Sequence, residues 1–140
     1  MHDLSNWEII EKALSVLKPR ELWMGGSAAT VACALLSKGR NVYLGVCIDV
    51  GSGIGFCAEH SAIAAMMTAG ETGIAKIVAV ASDGLSNYLV LPPCGRCREF
   101  MYEIDQNNIL HTQVILAQNH VVKLNELLPY PYHKVWEKQA

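Results

Sequence analysis

Two short stretches of this chain hold residue types that do chemistry together: Cys57-Ala58-Glu59-His60 and, later, Pro93-Cys94-Gly95-Arg96-Cys97. Cys57, Cys94 and Cys97 could supply three thiolates, and a catalytic zinc takes three protein ligands and leaves its fourth position to water. Glu59 stands two residues after Cys57, so it projects differently from that ligand and is free for proton work. Water on such a metal ionises near a pKa of about 7. A carboxylate alongside can take its proton and pass it to a ring nitrogen and then to a leaving amine. The chemistry implied is hydrolytic replacement of an amine.

Each of these residues also has a plainer reading. C-x-x-C by itself suits a thioredoxin-like redox pair. Glu59 could merely favour a helix dipole, and His60 could close a structural site of three cysteines and one histidine. Three thiolates on Zn²⁺ leave a charge of about −1, so His60 and Arg96 are candidates to donate to sulfur. Cys33 and Cys47 fall in apolar strand patterns and read as buried thiols. Cys47 shares a strand face with Asp49, just upstream of the metal loop. His2, His111, His120 and His133 fall in termini, turns or loops, where solvation is expected.

The elements that position these residues follow from periodicity. A helical stripe of Ile9, Ile10, Ala13, Leu14 and Leu17 predicts a covering helix over 6–17, ended by Pro19. Residues 28–36 suit a buried strand, and 42–49 alternates as a second, joined by a short turn in an antiparallel hairpin. The glycine-rich loop 51–55 leads into Cys57 but lacks the lysine and the order of a phosphate-binding loop. Residues 58–69 are nearly all apolar, which predicts a helix buried on most sides. A strand over 76–82 follows, then a helix over 94–105. The short runs 114–117 and 121–123 must be antiparallel if both are strands, because the gap is too short for a crossover. A short helix at 124–128 and an extended aromatic tail finish the chain. Both Cys57 and Cys94 fall where helices begin, where unpaired N–H groups favour a thiolate. The order of elements predicts helices on both faces of one mixed sheet.

Composition limits the rest. At 140 residues, 51% of them hydrophobic, the chain is the size of one domain with a core of its own. A net charge of −2 without a basic run argues against nucleic acid as partner. No stretch has the pattern of a signal peptide or a membrane span, and an odd number of cysteines argues against a disulfide framework. A cytoplasmic protein with no membrane partner is the expectation.

The blocks Gly45-Val46-Cys47-Ile48-Asp49, Cys57-Ala58-Glu59, Pro93-Cys94-Gly95-Arg96-Cys97-Arg98-Glu99 and Glu126-Leu127-Leu128-Pro129 resemble those of the cytidine deaminase superfamily. Zinc deaminases of nucleobases carry a non-ligand Glu close after the first ligand and a later C-x-x-C pair. Within the superfamily these blocks are similar to the small three-cysteine zinc enzymes that act on free nucleosides, such as cytidine deaminase and blasticidin S deaminase. The resemblance implies a single α/β domain over 1–140, a three-layer α/β/α fold with a five-stranded mixed sheet and an antiparallel final hairpin. It also implies Zn²⁺ on Cys57, Cys94 and Cys97, Glu59 as proton shuttle, and a homo-oligomer, tetramer or dimer, with sites near subunit boundaries. On the substrate side it points to Cys47, Asp49, Ala58 and Pro92. Cys47 and Asp49 stand where cytidine deaminases carry an Asn and a Glu for the ribose, Ala29 stands at an aromatic position, and Pro92 replaces a Ser. A nucleoside-like small molecule is the implied substrate. The rival reading is a noncatalytic, zinc-stabilised oligomeric binding module.

Overall fold

The computed structural model describes residues 4–137, so His2 lies outside the described residues. Ser5 starts helix α1 (Asn6–Leu14): its hydroxyl accepts from the Glu8 N–H, while the Glu8 carboxylate accepts from the Ser5 N–H. Ile9, Ile10 and Ala13 are buried along one stripe of α1, and each isoleucine contributes about 2 kcal/mol relative to exposure. The helix stops at Leu14 rather than Leu17. Beyond it, the Val16 and Leu17 N–H groups bond to the carbonyls of Ala13 and Leu14 in a tightened turn. Both side chains still reach the core, which is why the apolar stripe outruns the helix.

After α1 come β1 (Arg20–Glu21), β2 (Ser27–Ser37), β3 (Val42–Asp49), α2 (Ala58–Thr68), β4 (Ile74–Ser82), β5 (Tyr88–Leu91) and α3 (Gly95–Ile104). The chain continues through α4 (Asn108–His111), β6 (Gln113–Ala117), β7 (His120–Lys123), α5 (Leu124–Leu127) and α6 (Lys134–Glu137). Five strands form the sheet in the order β3-β2-β4-β6-β7, with β4 and β6 parallel and the other neighbours antiparallel. The β6–β7 pair is the antiparallel hairpin that its short connection requires. Two further strands bring the sheet to seven among the described residues. β1 pairs with Ser27 and Ala28 of β2, and β5 pairs with the last residues of β4. Both are too short to show an alternating pattern in sequence.

Alternation along β2 divides the core. Ala32, Ala34 and Leu36 pack with Val78, Val80 and Ile115 under α1, whereas Cys33 and Leu35 pack with Ile77, Val114, Met66 and Met101. The sheet is therefore the middle of three layers, as the α/β reading requires. Helix α2 is held close to β3, because a Cβ on Gly45 would lie 2.3 Å from the Ala62 nitrogen and 2.6 Å from the Ala58 carbonyl oxygen. The Ser61 hydroxyl also donates to the Val46 carbonyl at 2.7 Å. Only one side of α2 is buried; Ala64, Ala65 and Met67 are exposed. Its nearly all-apolar sequence thus overstates its burial within this chain, since alanine favours a helix whether or not it is covered.

Candidate active site

Helices α2 and α3 bring the cysteines together by their first residues. Cys57 and Cys94 are the N-cap residues of these helices, in extended backbone geometry, and neither side chain caps its own helix. The thiols turn toward each other instead. Cys57 Sγ lies 3.7 Å from Cys94 Sγ, which lies 3.7 Å from Cys97 Sγ. The three sulfurs fall within 4.8 Å of one another, the one such group of metal-binding atoms among the described residues. Tetrahedral zinc with Zn–S of about 2.3 Å separates its sulfurs by about 3.8 Å. The donor set and its spacing therefore fit Zn²⁺.

The thiols are crowded as well as close. Burial pushes Cys57 up. Cys97 is pushed far up by burial and by the charge of Glu59. Burial also acts upward on Cys94, but N–H groups at Cys97 and Arg96 and the neighbouring thiols outweigh it, so Cys94 lies below the usual thiol range. A divalent cation would relieve this crowding by binding the thiolate forms. Glu59 is 5% exposed, and burial raises its carboxyl above the usual range, partly countered by a backbone hydrogen bond. A carboxyl raised in this way holds a proton more readily than an exposed one, which suits proton transfer.

His60 lies beside the cluster. Its Nδ1 is 3.5 Å from Cys97 Sγ, and its ring stacks on Phe100 with centroids 4.3 Å apart. Burial and then the nearby Arg96 charge lower its pKa. Arg96 itself is exposed; it meets Cys94 through its backbone N–H.

A cavity of about 230 Å³ opens over the thiols, lined on one side by Cys57, Ala58, Glu59 and Cys94, and on the other by Thr30, Val31, Cys47 and Asp49. Phe56, Ala79, Leu91 and Pro92 complete it. Every residue expected on the substrate side therefore reaches one cavity, while Cys97 and His60 stand behind its thiol wall. The opposite wall depends on a bulge. Between the pairs Ala28–Ile48 and Ala32–Val46, three β2 residues face Cys47 alone. Ala29 takes φ 61° there while fully buried, a conformation that costs a residue with a β-carbon about 1 kcal/mol or more. Cys47 fills the bulge: its Sγ accepts from the Val31 N–H at 3.3 Å and lies 3.1 Å from the Thr30 hydroxyl. Its own thiol donates toward Asp49 Oδ2 at 3.7 Å. Thr30, Val31, Phe56, Ala79 and Leu91 join the site from outside the motifs; a lone threonine in an apolar strand is the one sequence signal for Thr30, and the others have none. Cys33, by contrast, is fully buried, with burial raising its thiol, as an inert core thiol should be. A second cavity of about 250 Å³, lined by Lys38, Arg40, Asp105 and His111 among others, contains none of the thiols.

The family model of the cytidine and deoxycytidylate deaminase zinc-binding region matches residues 7–113. The chain belongs to that family. Solved structures agree with its fold. The cytidine deaminase of Mycobacterium tuberculosis is 23% identical, with a TM-score of 0.72 over 93% of this chain and 98% of that one. The enzyme of Burkholderia pseudomallei is 24% identical, with a TM-score of 0.71 over 92% of this chain and 100% of that one. That of Bacillus anthracis is 18% identical, with a TM-score of 0.74 over 96% of this chain and 94% of that one. The protein is thus a zinc deaminase by family, with a cysteine cluster of the matching type. No described helix is long and apolar enough to cross a membrane.

Proposed function

We propose that the protein hydrolyses an exocyclic amine from the ring of a free nucleoside or nucleoside-like compound, of cytidine or blasticidin S type, and releases ammonia. The observation that carries this reading is the convergence of Glu59, Cys57 and Cys94 on one cavity. Cys57, Cys94 and Cys97 would hold zinc, which supplies a water acidic enough to act as nucleophile near neutral pH. Glu59 accepts one proton of the attacking water and gives it to the ring nitrogen. It then takes the second proton, from the added hydroxyl, and gives it to the amine, which leaves as ammonia while the carbonyl forms. Ala58 and Pro92 line the same cavity, and on this reading the Pro92 carbonyl accepts from the amine. Cys47 and Asp49 contact the remainder of the substrate from β3, with Asp49 the polar group of this strand that lines the cavity because Cys47 is engaged by β2. His60 donates to the Cys97 sulfur, and Arg96 adds positive charge nearby.

The protein is further read as a single domain acting as a homo-oligomer, tetramer or dimer, in the cytoplasm. The exposed Ala64, Ala65 and Met67 of α2 and the exposed Trp23, Met24, Ile54 and Leu85 support a second copy covering these faces. Sedimentation velocity tests that part, and a monomer at micromolar concentration would reject it. Ammonia release from cytidine, deoxycytidine, blasticidin S, a cytidine monophosphate and aminopurine nucleosides tests the reaction. Turnover of the unphosphorylated pyrimidine compounds is expected; turnover of the monophosphate or the purines alone would reject the substrate class.

A further inference from the structure

We propose that Arg98 is a positioning residue for the metal centre, fastening the Cys94 loop to the C-terminal segment; this rests on reading the three cysteines as zinc ligands. Arg98 holds both peptide groups that flank Cys94. Its backbone N–H bonds to the Cys94 carbonyl at 3.0 Å, and its Nε donates to the Pro93 carbonyl at 2.7 Å. Its Nη1 reaches the Leu127 carbonyl at 3.2 Å, at the C-terminal end of α5, where helix carbonyls lack partners within their own helix. Pro93 is buried, so its carbonyl depends on a partner inside the protein.

One planar, charged group serves both acceptors at once, which a lysine cannot do with the same geometry. Leu127 and Leu128 in turn pack, as Cys57 does, against the core cluster that contains Cys97. The guanidinium therefore closes a ring of contacts running from the Cys94 loop through α5 to the core beneath the other two thiols. Glu99, the next residue on α3, makes a different attachment: its carboxylate accepts from the Tyr132 N–H at 3.1 Å. That bond involves neither Pro93 nor Leu127.

The test is zinc release from the loaded protein to a colorimetric chelator, with thermal melting followed in parallel, for the wild type, Arg98→Gln, Arg98→Lys and Glu99→Gln. Groups that orient a ligand typically change metal affinity about 10–100-fold. Both Arg98 variants are expected to release zinc about tenfold faster or more, with Glu99→Gln at the wild-type rate. A residue that only stabilises the fold would lower the melting temperature without speeding release. Wild-type release from folded Arg98→Gln overturns the proposal. Arg98→Lys keeps the charge for the case in which the glutamine variant does not fold, and wild-type release from it overturns the proposal equally. A wild-type protein that takes up no zinc would instead overturn the metal reading on which this one stands.

Discussion

The thiol wall of the cavity is made from two helix starts, and the wall facing it from a bulged pair of strands. On the first, each of Cys57 and Cys94 occupies an N-cap position, and Cys97 follows within the first turn of α3. Local backbone geometry places each thiol at its own helix start, and tertiary packing brings Cys57 to Cys94, 37 residues away. On the second, Thr30, Val31 and Cys47 meet only because β2 shifts register against β3. Their contacts join residues 16 and 17 positions apart across one hairpin, and the bulge that sets them contains a buried alanine with positive φ. The metal-binding residues are therefore each set by a helix start that a local motif marks, while the wall that faces the substrate is set by a strand register that no local motif marks.

Changes that break the thiol wall should have the largest effects. Cys94→Ser is expected to lose stoichiometric zinc by metal analysis and to abolish ammonia release, because a weakly acidic hydroxyl replaces one of three thiolates. Next is the contact that sets α2, and with it Cys57 and Glu59, against the strand wall. Gly45→Ala forces a Cβ into the backbone at Ala58 and Ala62, with an expected loss of about 2–3 kcal/mol in urea unfolding.

The strand wall should respond more narrowly. Cys47→Val keeps an apolar side chain but leaves the Val31 N–H and Thr30 hydroxyl without the sulfur they now contact. A loss of about 1–2 kcal/mol is expected, together with a higher KM and unchanged zinc content. A loss of zinc from this variant would show that the two walls are not separable. The smallest effect concerns the far end of the same hairpin, where the Glu71 carboxylate accepts from the Gly39 N–H, the Asn41 amide and the Tyr43 hydroxyl. The bond from Tyr43, and then that from Asn41, hold its pKa below the usual range. A depressed carboxyl pKa contributes stability above the unfolded value, and that contribution is lost as pH falls through the folded value. Water reaches these groups and screens them, so the contribution is small. The melting temperature of Glu71→Gln should therefore lie slightly below that of the wild type at pH 7, and the gap should narrow as pH falls below about 4.

The same contrast explains what can be read from the sequence. Helix starts at Cys57 and Cys94 are legible because glycine and proline punctuation fixes them within a few residues, and C-x-x-C spacing fits one helical turn. A continuous apolar run places β2, and alternation places β3 and puts Cys47 and Asp49 on one side. The bulge at 29–31 is not legible, because nothing in Ala-Ala-Thr-Val signals a positive φ. β1 and β5 escape a reading by period because they have two and four residues. The exposed side of α2 is hidden because composition does not distinguish a covered alanine from an open one.

The proton-carrying role of Glu59 at a zinc held by three cysteines is the step on which the proposed reaction turns. Ammonia release and zinc content measured together on the wild type and Glu59→Gln test it most directly. About one zinc per chain is expected in both proteins, with a fall in turnover of about a thousandfold in the variant. A Glu59→Gln protein that retains zinc and releases ammonia at the wild-type rate would contradict that role.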